Sequence, residues 1–282
     1  MKFLLTLLIS FSIIFSQGLS VQILNDAIYE TDEELSGGFQ LLYQDNKHWS
    51  FYLGQKIYTP TNKDIRQPLQ GERPYNAWLY TGVIYQQEYE GIEILYTLQG
   101  DVGVVGPSAM GEEMQNGLHT LIGVDNALGW ESQTEDSIES TLTFSAEYPL
   151  IDFFKNGKVR NLHLSTYVYT QAGTLLENYS TGLSMAIGYH VPYYASLINF
   201  PSKNAFYLFA NLQVTAVEKN RLLDGNSGYN VVSEDYIERY DLGFNWDISN
   251  FRVRFTATKM SKEYTTQVVG HNFVRVEFTL GF

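Results

Sequence analysis

Polar and apolar residues alternate with a period of two along most of this chain. Phe39-Gln40-Leu41-Leu42-Tyr43, Trp49-Ser50-Phe51-Tyr52-Leu53 and Leu162-His163-Leu164-Ser165-Thr166-Tyr167-Val168-Tyr169 show it directly. Such alternation predicts strands with one apolar and one polar face. Twelve segments carry it, near 21–30, 35–45, 47–58, 75–89, 91–104, 138–150, 159–171, 178–191, 204–219, 233–247, 250–262 and 267–282. Many reach or exceed the ~9–11 residues that a tilted membrane strand requires. Short turns at Asp45-Asn46-Lys47, Glu90-Gly91 and Ser249-Asn250 are interleaved with long connections near 59–74, 105–137 and 220–232. An even strand count with short turns at one end and long loops at the other predicts an all-β, antiparallel outer-membrane β-barrel of twelve strands.

One segment departs from period two. Residues 108–122 follow Pro107, offer Ser108 as an N-cap, carry Glu112 and Glu113 in the first turns, and stop at Gly123. Met110, Met114, Leu118 and Leu121 recur at helical spacing. The prediction is a short helix inside a long extracellular loop, an addition that a barrel scaffold does not need.

Composition sharpens the picture. Aromatics make up 15 % of the 282 residues, led by 21 Tyr and 17 Phe, while charged residues reach only 17 %. With a mean hydropathy of −0.17, this fits alternating lipid-facing and lumen-facing positions. An acidic secreted β-sandwich would share some of these values. The last strand, Val274-Arg275-Val276-Glu277-Phe278-Thr279-Leu280-Gly281-Phe282, closes on a terminal aromatic, as bacterial outer-membrane proteins do. Lys2 followed by the apolar run Phe3–Phe15 and then Ser16-Gln17-Gly18 predicts a signal peptide over 1–20, cleaved between 16 and 20. Residues 21–282 are then one barrel, expected in the bacterial outer membrane as a monomer. The net charge of −13 argues against nucleic acid as a partner. The absence of cysteine excludes disulfides and thiolate metal sites.

Candidate chemistry gathers in two places. Gln115 and His119 are four residues apart on the loop helix and share a side of it. A neutral imidazole is a general base near physiological pH, and Asp125 is placed to fold back and orient it. By spacing alone, a helix histidine such as His119 is more often structural or merely exposed than catalytic. Asn25-Asp26, Thr31-Asp32 and Ser36-Gly37-Gly38 bring oxygen donors suited to a hard cation such as Ca²⁺, or serve only as turn residues. Arg73 is either a grip for phosphate or an anchor for a loop end, and Trp130 either an interface residue or another anchor. No nucleophile-elbow serine, zinc-protease motif, phosphate-binding glycine loop or dinucleotide fingerprint is present. Water activated by His119 is therefore the simplest hydrolytic option.

Taken in order, these pieces resemble the outer-membrane lipid A 3'-O-deacylases and their relatives. The resemblance runs through Asn25-Asp26, Thr31-Asp32, Ser36-Gly37-Gly38, Gly54-Gln55, Tyr58-Thr59-Pro60, Arg73-Pro74-Tyr75-x-x-Trp78-Leu79-Tyr80 and Gly103-x-x-Gly106-Pro107. It continues through Gln115-x-x-x-His119-x-x-Ile122-Gly123 and Gly129-Trp130-x-x-Gln133, covering 22–135, with a looser match to Phe282. It implies a site between the barrel wall and the loop helix, near the outer leaflet. It also implies Ca²⁺-dependent hydrolysis of the 3'-linked acyloxyacyl ester of lipid A, the lipid anchor of lipopolysaccharide. Carried over, His119 activates water, Asp125 orients it, Gln115 and Ser36 line the site, Asn25 and Asp26 hold the cation, and Arg73 meets the substrate. Three positions depart from the pattern. Ser36 stands where relatives often have Thr, Asp125 where Glu is expected, and Glu72 puts an acid beside Arg73. A phospholipase acting on glycerophospholipids and a barrel without chemistry, such as a pore, are the other classes this sequence admits.

Overall fold

The computed structural model describes residues 18–26, 34–45, 48–62, 64–67, 70–153, 161–201, 204–223 and 228–282. The first seventeen residues and Thr31-Asp32 lie outside these. Twelve strands close into one antiparallel barrel in which each pairs with its neighbours in sequence and β1 pairs with β12. They are β1 (Gly18–Asn25), β2 (Glu34–Gln44), β3 (Trp49–Thr59), β4 (Asn76–Tyr89), β5 (Ile94–Val105) and β6 (Ser137–Phe153), followed by β7 (Leu162–Gly173), β8 (Leu176–Tyr189), β9 (Ala205–Asn220), β10 (Tyr236–Ile248), β11 (Phe251–Met260) and β12 (Asn272–Gly281). Every one of the twelve alternating segments is a strand. β1 begins at Gly18, paired to Gly281 on one side and Gln44 on the other, inside the window expected for cleavage.

Alternation sets the two faces. Leu41, Phe51, Leu98, Leu142, Leu208 and Phe278 are exposed on the outside, where lipid covers them. Tyr52, Asp101, Glu147, Arg252 and Thr256 are buried inside. The start of β1 and the end of β12 share one rim with the short turns, which makes that rim periplasmic and puts the long loops outside the cell.

The periplasmic mouth is crossed by the turn between β8 and β9. Glu147 on β6 accepts from the backbone N–H groups of Ala195 (2.7 Å) and Ser196 (2.9 Å). Gln86 on β4 accepts from the N–H of Ile198 at 2.9 Å, and Gln44 on β2 donates to the Ile198 carbonyl at 2.7 Å. Arg252 on β11 donates to the Asn199 carbonyl at 2.9 Å. At the other end Leu175 and Leu222 pack over Trp78, Tyr80 and Val105 inside the barrel.

The loop between β5 and β6 carries the helix α1 (Gly111–Ile122). It starts three residues later than the sequence suggests. Pro107–Ala109 form a 3₁₀ turn, and Met110 takes a left-handed conformation before the α-helix begins. Ser108 caps nothing; its N–H and hydroxyl both donate to the Asp136 carboxylate, tying the two ends of the loop together. Gly123, at φ 76°, ends the helix as expected.

Candidate active site on the outer wall

The loop bearing α1 does not enter the lumen. On β3 the exposed series Trp49, Phe51, Leu53 defines the outward face, and Gln55, Ile57 and Thr59 continue it. All three are buried: the loop covers Gln55 and Ile57, and Thr59 meets Ser36 of β2. Ile57, Tyr75, Ala77, Ala109, Ala127 and Trp130 form one apolar cluster, joined by Leu79 and Val104. The approach is close: a Cβ on Gly111 would stand 2.5 Å from Ala77 Cβ and from the Trp130 ring. Gln55 donates to the carbonyls of Ala109 (2.6 Å) and Met110 (3.2 Å), fixing the start of the helix on the wall.

Gly111, Gln115 and His119 are the buried side of α1, whereas Met110, Met114, Leu118 and Leu121 are exposed. Gln115 Oε1 accepts from the Trp130 indole N–H at 2.9 Å. Trp130 is thus an internal strut, 5.1 Å from the Tyr75 ring, and not an interface residue. His119 Nδ1 lies 2.8 Å from the backbone carbonyl oxygen of Asp125. A carbonyl only accepts, so Nδ1 carries the proton and the basic lone pair of the neutral ring sits on Nε2. The expected carboxylate of Asp125 is not what orients the ring; that side chain is exposed.

The second group stands on the same outward face. Leu19, Val21 and Ile23 are exposed along β1, and Asn25 follows them. Asn25 Nδ2 donates to the Ser36 carbonyl at 2.9 Å, which turns its Oδ1 the opposite way. A register shift between Glu34 and Gly37 on β2 accompanies a contact of the Ser36 and Thr59 hydroxyls. Asp26 follows at the strand end and is 1 % exposed. Asn25 is level with Gly37 on β2, and Gly37 with Ile57 on β3. Two strand spacings, roughly 10 Å, therefore separate the Asn25 backbone from the wall under α1. Among the described residues, Asn25, Asp26 and Ser36 offer carboxamide, carboxylate and hydroxyl oxygens, the donor types that fit a hard cation.

Arg73 lies elsewhere. Its guanidinium sits 4.8 Å from the ring of Tyr58, which faces the lumen between outward Ile57 and Thr59. It donates to Glu34 at 2.6 Å and to Glu263, and is 1 % exposed. Burial works against its charge, but Glu263 and Glu34 together hold it more firmly protonated than an ordinary guanidinium. The expected grip on substrate phosphate is replaced by an internal clamp joining β2 to two extracellular loops. Tyr264 completes it by donating to Glu34 at 2.8 Å. His271 Nδ1 stands 3.7 Å from Glu263. Glu34, Glu263 and His271 are close enough to share a metal ion, but the guanidinium already supplies the positive charge there.

Sequence reasoning missed Gln55 and Thr59 as site residues. A signal was available: each is polar at a position where the alternation demands a lipid-facing apolar residue.

Fold and site together define an outer-membrane β-barrel with a loop helix packed on its lipid-facing wall and His119 on the buried side of that helix. The chain belongs to the family of outer membrane protein LpxR, which matches it over residues 3–282. Among solved structures, LpxR from Salmonella typhimurium is similar with a TM-score of 0.83 at 21 % identity, over 94 % of this chain and all of that one. The β domain of the Bordetella autotransporter BrkA aligns over 94 % of this chain and 99 % of its own, at 11 % identity and a TM-score of 0.47. No curated protein matches the sequence.

Proposed function

We propose that the chain is an outer-membrane ester hydrolase that removes the 3'-linked acyloxyacyl group of lipid A. The observation that carries this reading is the placement of His119. It lies on the outer wall, where outer-leaflet lipids meet the barrel, with Nδ1 held by a backbone carbonyl and Nε2 left as the basic nitrogen. Nε2 takes a proton from water as the water oxygen attacks the ester carbonyl carbon. The tetrahedral species collapses by breaking the bond to the sugar oxygen, which receives the proton back from His119. The products are a free acyloxyacyl acid and a sugar hydroxyl. Asn25 and Asp26, with Ser36 beside them, would hold Ca²⁺, whose chemistry when bound is to stabilise negative charge on the carbonyl oxygen.

A pore is the weaker reading, because the turn through Ala195–Asn199 is hydrogen-bonded across the periplasmic mouth from four strands. The test is mass spectrometry of lipid A from cells expressing the chain or His119→Gln, with and without chelator. Loss of one acyloxyacyl unit with the intact protein alone, stopped by chelator and restored by Ca²⁺, is expected. An unchanged lipid A spectrum with fatty acid released from glycerophospholipids would move the assignment to a phospholipase. No release from either lipid would overturn the enzyme reading.

A further inference from the structure

The helix α1 has two flanks of opposite character on either side of its wall contact. At 3.6 residues per turn, with Gln115 at the centre of the buried side, Leu118, Met114 and Leu121 lie about 60–120° to one side, while Glu112, Asn116 and Thr120 lie about 60–140° to the other. The apolar flank is open. Leu121 is 81 % exposed, and Met114 and Leu118 are exposed with it. The polar flank is where the returning chain passes: Asn116 donates to the Ala127 carbonyl and accepts from its N–H, and Thr120 reaches Asn126 at 3.5 Å. A soluble helix would turn such an apolar stripe inward, yet the buried line here holds glycine, glutamine and histidine.

We infer that the apolar flank of α1 is immersed in the acyl chains of the outer leaflet, while its polar flank faces water. The occupant follows from where the helix sits. It rests on outward wall positions Ile57, Ala77 and Val104, and the exposed apolar residues below them on the same face of β3 and β5 are Leu53 and Val102. The helix that carries the stripe therefore sits directly above the lipid-facing belt of the barrel. A helix lying along the interface with one flank apolar and one polar is the arrangement that a membrane surface stabilises. His119, on the buried side between the two flanks, would then have hydrocarbon to one side and water to the other. An acyl ester whose chains remain in the leaflet enters from the first side, and the attacking water from the second. The immersion itself is independent of whether His119 hydrolyses anything.

The chain has no cysteine, so single nitroxide labels can be placed without first removing any native cysteine. Leu121→Cys and Met114→Cys report the apolar flank, Glu113→Cys and Thr120→Cys the polar flank, and Leu142→Cys the lipid-facing belt. Each labelled barrel is refolded into phosphatidylcholine vesicles and checked by heat-modifiable migration. Power saturation then compares accessibility to oxygen, which partitions into lipid, with accessibility to a water-soluble nickel chelate. Labels at 114 and 121 should favour oxygen as strongly as the label at 142, and several-fold more than those at 113 and 120. Nickel-favoured accessibility at 114 and 121, matching 120, would overturn the inference. In intact cells a membrane-impermeant maleimide should modify Thr120→Cys but not Leu121→Cys; equal modification would count against immersion even if a spin-labelled variant folded poorly.

Discussion

His119 Nδ1 is held at 2.8 Å by the main-chain carbonyl of Asp125, six residues further on and beyond the left-handed Gly123. Orientation of the imidazole thus depends on where the backbone runs after the helix, not on the side chain at 125. An Asp at 125, where the resemblance implies Glu, leaves this main-chain contact unchanged. Asp125→Ala should retain ester release within a few-fold of the parent. His119→Gln should lower it by ~10²–10⁴-fold, the usual contribution of a general base. Gly123→Val, which forces a β-branched residue to φ 76°, should displace the carbonyl and reduce release although no catalytic atom has changed. Lipid A mass spectrometry on the three variants checks the set. Strong loss in Asp125→Ala would return the orienting role to the carboxylate.

Close packing of α1 on the wall gives a second prediction. Gly111 faces Ala77 Cβ and the Trp130 ring, each 2.5 Å from where a Cβ would stand. Trp130 is itself held by Gln115 and by Tyr75, so it has little room to yield. Gly111→Ala should therefore shift the helix outward by several tenths of an ångström. Activity should fall while the temperature of heat-modifiable migration stays unchanged, since no strand pairing is touched. A coupled loss of both would show that the loop also stabilises the barrel.

The clamp around Arg73 predicts the reverse pattern. Arg73→Met leaves Glu34 and Glu263 facing each other with no cation between them. Removing one partner of a buried ion network costs about 3–5 kcal/mol, to be read as a lowered urea midpoint for barrel unfolding. Because the guanidinium is on the lumen side of the wall, the KM for lipid substrate in the folded fraction should not change. A raised KM with unchanged stability would restore Arg73 as a substrate residue.

His271 makes the same cluster sensitive to pH. Burial holds its imidazole below the ordinary value of 6.5, with Glu263 opposing, Arg73 reinforcing, and Glu34 and Arg239 acting more weakly in opposite senses. The unfolded chain then binds this proton more readily than the folded one, so stability falls as pH drops below 6.5 toward the folded value. Urea midpoints measured from pH 7.5 to 5 should decline, and His271→Gln should flatten that decline. A variant with the parent's slope would place the sensitivity elsewhere.

The barrel was legible in the sequence because alternation, strand length and turn chemistry are local and all agree. Residues from Asn25 to Trp130 read as one series in the sequence, but their division of labour does not. Ser108 reads as a helix cap because three acceptable residues follow it, yet its partner is Asp136, 28 positions away. Arg73 reads as either a phosphate grip or a loop anchor, and the partners that make it an anchor, Glu34 and Glu263, lie 39 and 190 positions off. The apolar stripe on α1 reads as a packing face in any aqueous protein. In a barrel loop resting on a lipid-facing wall, the apolar side can turn outward and the polar side can be the buried one.

The lumen supplies the final prediction. Glu147 accepts from Ser165 Oγ at 2.6 Å and from the N–H groups of Ala195 and Ser196, and Gln86 brackets the same segment by donating to the Ser196 carbonyl and accepting from Ile198. Together they hold the turn across the periplasmic mouth. In planar bilayers the parent should show no resolved conductance steps. Glu147→Ala combined with Gln86→Ala removes every hydrogen bond described from these two side chains to the segment and should let it leave the mouth, producing steps at unchanged lipid A hydrolysis, because His119 lies outside the barrel. Conductance in the parent would show that the turn does not seal the lumen. Silence in the double variant would show that Gln44 and Arg252, from the remaining two strands, suffice to hold it closed.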